Sequence, residues 1–278
     1  MKLYKIKTGI LAESSGKYYL VKKTGWDEFF NDNHLAAKIR KLEKTARPVK
    51  NGPALIKSSI MAPISNQEIW ASGVTYENSK LGRQEESKNS GGGQFYAHVY
   101  TAERPELFFK ATAQRTVASG ARVRIRKDST WDVPEPELTL AITSSGKIIG
   151  YTIGNDMSSR SIEGENPLYL PQAKTYEGCA ALGPCIYVTE QPLNRDTMIT
   201  LQITRAKKVI FKEEISISRI RRKFEDLVAY LFRECAFPFG CFLMTGTGIV
   251  PPREFTLKKG DEIKISIDPI GTLINTVG

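Results

Sequence analysis

The stretch Trp131-Asp132-Val133-Pro134-Glu135-Pro136-Glu137-Leu138 carries two glutamates two residues apart, and Asp156 follows in Gly150-Tyr151-Thr152-Ile153-Gly154-Asn155-Asp156. Residues at that spacing on a strand project from one face. Pro136 disfavours helix at the residue before it, which supports an extended Glu135. The apolar, β-branched runs 138–143 and 148–153 flank a turn containing Ser145-Gly146 and predict a β-hairpin. With the turn centred between Ser145 and Gly146, Glu135 faces Asp156. Three carboxylates then meet on one patch, where like charges repel and burial raises the cost. Such a cluster asks for a cation. Oxygen-only ligation, with no His or Cys nearby, points to Mg²⁺, with Mn²⁺ or Ca²⁺ as alternatives, rather than to zinc. The competing reading is a solvated acidic patch on an edge strand, where the two prolines would also be tolerated.

The elements that position these residues follow from pattern. Strands are expected at 3–7 and 17–22, then a helix over 33–45 that Arg47-Pro48 ends. Gly52, Pro53 and Pro63 mark a crossing, so the boundary is placed near residue 60: a small N-terminal α+β domain over 1–60 and a catalytic domain over 61–278. Beyond it, strands are expected at 123–126, 186–189, 199–204, 209–217 and 262–267. Phe224, Leu227, Val228, Leu231 and Phe232 recur at helical spacing within 221–234. The polar run 77–102 contains Gly91-Gly92-Gly93, costly to order, and reads as a lid candidate.

Composition narrows the class. Hydrophobic residues at 41% and charged residues at 25% of 278 match an ordinary folded chain and exclude disordered or fibrous classes. No apolar run approaches the roughly 20 residues that span a bilayer. The start, Met1-Lys2-Leu3-Tyr4-Lys5-Ile6-Lys7, has no apolar core or cleavage site, so a cytoplasmic address is expected. Cys179, Cys185, Cys235 and Cys241 form no CxxC pair and read as free, mostly buried thiols. The net charge is +10, and residues 1–50 hold 12 Lys and Arg against 5 Asp and Glu. Those cations are spread among apolar residues with no nucleic-acid motif, so a solvated basic face is favoured over a basic nucleic-acid-binding module.

The carboxylate stretch, together with Gly150 to Asp156, Ser158-Ser159-Arg160, Ala173-Lys174 before Gly183-Pro184, Thr245-Gly246-Thr247 and Ile270-Gly271-Thr272-Leu273, resembles the fumarylacetoacetate hydrolase superfamily. The resemblance runs from about residue 69 to the end. It implies a mostly β, mixed β-roll catalytic domain of the fumarylacetoacetase C-terminal type behind a small α+β domain, assembled as a homodimer or homotetramer. It makes Glu135, Glu137 and Asp156 the metal ligands, and Lys174 the lysine that contacts substrate oxygens. Hydrolases of the superfamily carry a histidine where Gly73-Val74-Thr75-Tyr76-Glu77-Asn78-Ser79 places Ser79. The chain has only His34 and His98, and His98 reads as packed on a helix.

Arg104-Pro105-Glu106-Leu107-Phe108-Phe109-Lys110 and Glu165-Asn166-Pro167-Leu168-Tyr169 resemble the sugar-acid dehydratase branch, which also lacks that histidine. The implied activity is Mg²⁺-dependent dehydration of a 2-keto-3-deoxy sugar acid, such as 2-keto-3-deoxy-D-arabinonate to 2,5-dioxopentanoate, in pentose degradation. The alternative is carbon–carbon bond hydrolysis of an acylpyruvate or fumarylacetoacetate type. The implied partner is a small 2-oxo acid, with no nucleic acid and no membrane. Glu106 and Lys174 are the candidates for proton transfer, with the roles of base and acid open between them. Lys174 could instead stay charged and bind the substrate carboxylate, and Glu106 could instead pair with Arg104. Thr75 and Thr272 are candidate hydrogen-bonding partners of the substrate. Glu135→Gln is expected to abolish turnover while leaving the fold nearly intact. Full turnover in that variant, with an unchanged circular dichroism spectrum, would remove the metal assignment.

Overall fold

The computed structural model describes residues 1–22, 24–86 and 93–278. The lid expected around Gly91-Gly92-Gly93 falls outside that set, Gly93 apart. The first strands are β1 (Lys2–Ile6), β2 (Gly9–Ser14), β3 (Lys17–Val21), β4 (Ile60–Met61), β5 (Glu68–Gly73), β6 (Glu106–Ala111), β7 (Thr116–Val117) and β8 (Arg122–Val123). The long ones follow: β9 (Asp132–Ile142), β10 (Ile148–Ser159), β11 (Ala180–Val188), β12 (Met198–Arg205) and β13 (Lys208–Ser216). The last are β14 (Cys241–Met244), β15 (Glu262–Ile267) and β16 (Gly271–Val277). Helices α1 (Trp26–Phe30), α2 (Leu35–Thr45) and α3 (Gly52–Ser59) lie near the N-terminus. Helices α4 (Glu77–Glu86) and α5 (Gly93–Thr101) follow β5, α6 (Arg160–Glu165) and α7 (Leu170–Lys174) follow β10, and α8 (Phe224–Leu231) follows β13.

The fold is α+β and strand-rich, built on two mixed sheets. One has eleven strands, ordered β3-β2-β1-β11-β10-β9-β14-β5-β6, with β4 on β1 and β7 on β11. The other has five, ordered β13-β12-β15-β16-β8. Leu138, Leu140 and Ile142 of β9 share one buried cluster with Ile199, Leu201 and Ile203 of β12 and Ile263 and Ile265 of β15. Ala141, Phe242 and Met244 belong to a second cluster, with Phe29 and Phe30 of α1 and Leu35 and Ile39 of α2. Both faces of β9 are therefore covered, which is why its whole length is buried. The N-terminal strands are continuous with this sheet, since Leu3 of β1 pairs with Ile186 of β11.

Glu135 lies opposite Asp156, as the hairpin reading requires, and the register holds from Gly150–Ala141 to Ser159–Asp132. A bulge at Ile149 sets it, because Ile148 faces Ile142 before the register shifts. Pro134 and Pro136 sit inside a long strand for a local reason. β14 pairs only with residues 139–142 of β9, so beyond Leu138 no strand needs the N–H groups that proline lacks.

Several boundaries differ from pattern. The strand expected at 123–126 is only Arg122–Val123, the helix at 221–234 shortens to Phe224–Leu231, and the helix at 33–45 starts at Leu35. Strands β2, β5, β6 and β16 went unread, because short segments interrupted by Glu, Lys or Thr mask the alternation. His98 is on helix α5 but exposed, not packed. The four cysteines are free, and all but Cys235 are buried. Among the described residues, no helix is long and apolar enough to cross a membrane.

Gly154 stands opposite Glu137, and a Cβ there would collide with Thr139 Oγ1 and lie 2.9 Å from Met244 Cε. Gly154→Ala is expected to destabilise the protein by about 1–3 kcal/mol through overpacking, measured as a lower urea midpoint at unchanged slope.

Candidate active site

The pleat puts Glu135 and Glu137 on one face of β9, and the register brings Asp156 of β10 beside them. One oxygen from each lies within 4.8 Å of the others, and all three residues are buried. That spread suits a six-coordinate cation with oxygen ligands at about 2.1 Å. Burial pushes the Glu137 carboxyl well above the usual carboxylate range, and the charges of Asp156 and Glu135 push it further. The Gly246 N–H donates to Glu137 Oε2 and opposes that shift. Glycine is needed there, since φ is +91° and a Cβ would meet Thr75 Oγ1 and lie 2.9 Å from the Ser72 carbonyl oxygen.

Two buried lysines answer the carboxylates. Lys174, the last residue of α7, places Nζ 2.8 Å from Glu135 Oε2, 3.0 Å from Asp156 Oδ2 and 2.6 Å from Ser158 Oγ. Lys110 of β6 places Nζ 2.5 Å from Asp156 Oδ1 and donates to the carbonyls of Met157, at 2.9 Å, and of Lys174. It thus ties β6 and β10 to the C-terminal turn of α7. Burial alone would raise the Asp156 carboxyl, but the two ammonium groups outweigh it and hold it below the ordinary value. Arg160 of α6 donates to Glu135 Oε1 at 2.9 Å, and Arg83 of α4 pairs with buried Glu163 of α6.

Glu106 starts β6 opposite Gly73, whose missing side chain leaves room for its carboxylate. Its Oε2 is buried and has no hydrogen-bond partner among the described residues. Burial pushes this carboxyl above its usual range, while Arg83 and Lys174 pull it back. Arg104 packs instead over the Tyr230 ring, with its guanidinium carbon 5.5 Å from the centroid.

The two threonines part company with the site. Thr75 is buried behind it, donating to the Thr245 carbonyl at 2.6 Å, so it braces the Gly246 loop. Thr272 lies on β16 in the other sheet, where its hydroxyl meets Ser266 Oγ at 3.0 Å. It does not line the cavity, because its strand belongs to the second sheet. The cavity is walled instead by Ser72, Val74, Ser79, Phe108 and Thr247 together with Arg83, Glu135, Glu137, Asp156, Arg160 and Lys174, a wall to which Glu106 and Lys110 do not belong, and its free volume is about 20 Å³. That holds an ion or one water. Ser79 Oγ donates to the Tyr76 carbonyl at 2.7 Å, an N-terminal helix contact rather than a base.

Lys110, Arg83 and Glu163 went unread in the sequence. A signal existed for the first: Glu106, Phe108 and Lys110 alternate along one strand face, with a lysine set among apolar neighbours.

Residues 69–278 match the family model described as fumarylacetoacetate (FAA) hydrolase C-terminal. A probable 2-keto-3-deoxyxylonate dehydratase of Haloferax volcanii is 45% identical over 81% of this chain and 76% of its own length. A 2-dehydro-3-deoxy-D-arabinonate dehydratase of Saccharolobus solfataricus is 46% identical over 78% of this chain and 74% of its own. A solved 2-keto-3-deoxy-D-arabinonate dehydratase, complexed with magnesium and 2,5-dioxopentanoate, superposes at a TM-score of 0.84 with 36% identity, over 100% of this chain and 98% of that one. With its metal-type carboxylate triad in place and three quarters of its length matched, the chain belongs to the fumarylacetoacetate hydrolase family.

Proposed function

We propose that the protein is a Mg²⁺-dependent hydro-lyase that dehydrates a 2-keto-3-deoxy sugar acid, 2-keto-3-deoxy-D-arabinonate, to 2,5-dioxopentanoate in pentose degradation. The observation that carries this reading is the pairing of a buried carboxylate triad with an unpartnered, pKa-raised Glu106 in a site without histidine. The similar dehydratases support the substrate class.

Glu135, Glu137 and Asp156 would hold the metal, which supplies positive charge beside the developing enolate oxygen of the substrate. Lys174 is held by two carboxylates and a hydroxyl, which suits a charged donor to substrate oxygens better than a free base. Glu106 then takes the C3 proton and returns it to the C4 hydroxyl, which leaves as water. A C5 hydrogen then moves as a proton to C3, which leaves a C4–C5 enol, and the aldehyde forms as that enol's hydroxyl gives up its proton and C4 takes one up. Lys110 holds Asp156 and the Lys174 main chain in register. Hydrolysis is less well supported, because a serine, Ser79, stands where the resemblance would place a water-activating histidine, and its hydroxyl is engaged by the Tyr76 backbone. The small domain over 1–60, the homodimer or homotetramer and the cytoplasmic address belong to the same proposal, and light scattering after size exclusion checks the assembly.

Chelator-stripped protein given Mg²⁺ and 2-keto-3-deoxypentonate is expected to form 2,5-dioxopentanoate, followed with a coupled aldehyde dehydrogenase. Cleavage of an acylpyruvate instead, with no elimination from pentonate or hexonate analogues, would favour the hydrolase. Glu106→Gln is expected to lose about 10²–10⁴-fold in kcat/KM while Mg²⁺ binding persists. The base must be ionised, so kcat/KM should rise with pH through the raised Glu106 value, and this limb should vanish in the variant. Lys110→Met removes one partner from a buried ion network and is expected to cost about 3–5 kcal/mol, with weaker Mg²⁺ binding by calorimetry. Unchanged stability would show that the clamp is dispensable.

A further inference from the structure

A groove of about 700 Å³ lies between α2, the end of β3 and the segment 46–49, and none of its lining residues borders the carboxylate site. Lys38, Lys41, Leu42 and Thr45 fall at helical spacing and form one wall from a single face of α2. Leu20, Val21 and Val49 give the opposite side an apolar surface, and Lys22 and Arg47 complete the rim. Among the described residues, every charged residue lining the groove is a cation.

Lys38 is engaged, 3.2 Å from Asp32 and 4.5 Å above the Phe29 ring. Lys22, Lys41 and Arg47 meet no acidic side chain within ion-pair distance among the described residues. The negative end of the α2 dipole accounts for cations in its last turn. It does not account for Lys22, which comes from the β3 end, or for Lys38, which stands in the first half of the helix.

We propose that this groove binds a phosphorylated small molecule bearing a flat apolar ring, of the nucleotide class. Three uncompensated positive charges match a multiply charged phosphate better than a single carboxylate. Arg47 offers a planar fork to phosphate oxygens, and the lysines act as point charges. The half-buried Leu20, Val21, Leu42 and Val49 offer apolar surface that a bare inorganic anion leaves unused. The volume falls in the usual range for small-molecule sites.

The test is calorimetric titration with ATP and with tripolyphosphate, in EDTA and 150 mM salt, so that metal-bound ATP at the carboxylate site does not contribute. ATP is expected to bind once per chain, and Glu135→Gln should bind it equally. Lys41→Glu with Arg47→Glu should weaken binding about tenfold or more, as loss of two charge-assisted contacts requires, with turnover of the 2-oxo acid unchanged. The milder pair Lys41→Gln and Arg47→Gln guards against a folding defect. Absence of saturable ATP binding, binding indifferent to both pairs, or tripolyphosphate binding as tightly as ATP would each overturn the proposal.

Discussion

Asp156 held between two buried ammonium groups is the constraint on which the site depends. A fully buried carboxylate is costly, and Lys110 and Lys174 make it tolerable from opposite oxygens. Each lysine has a second duty. Lys110 satisfies two backbone carbonyls, one of them at the end of α7, so the position of Lys174 is set by the same group that stabilises Asp156. Lys174 in turn spans Asp156 and Glu135, the two residues that face each other across the hairpin. The electrostatics and the register are therefore one arrangement, and a shift of one residue in β10 would break both.

That arrangement explains how the sheet is built around it. Strands β9 and β10 are buried on both faces, which puts the carboxylates in a low-dielectric setting where charge compensation is strong. β14 stops short of Glu137 and turns at Gly246, so a backbone N–H rather than another strand meets Glu137. The opening left along β9 is the site itself. Thr75 belongs to this supporting layer, because its hydrogen bond to Thr245 steadies the loop that presents Gly246.

The carboxylate triad was legible because strand geometry is short-range: a two-residue spacing, a proline and a turn suffice to place Glu135, Glu137 and Asp156. The compensating cations were less so. Lys110 and Arg83 reach the cluster from elements distant in sequence, and β6 is too short and too mixed to announce itself by alternation. Thr272 shows the limit of a local motif. Its Gly-Thr motif resembles a site loop, yet its strand pairs into the other sheet, a long-range outcome that no local spacing reports. The bulge at Ile149 is intermediate, since hairpin and turn were readable but the extra residue that restores the register was not.

The polar groups around the triad separate elimination from hydrolysis on chemical grounds. Hydrolysis needs a base that reaches a water, and the residue at the position where the resemblance to hydrolases would place that base is Ser79, whose hydroxyl is bonded to the Tyr76 backbone at the start of its own helix. Elimination needs no bound water. It needs one group able to accept a proton from carbon and give it to a leaving hydroxyl, so that group must be uncommitted to fixed partners. Glu106 meets that condition because Gly73 makes space for it and, among the described residues, no hydrogen bond holds its Oε2. Lys174 does not, because all its contacts serve the cluster. Under the dehydratase reading, the division of labour follows from which charges are compensated: the paired groups bind and orient, and the unpaired carboxyl moves the proton.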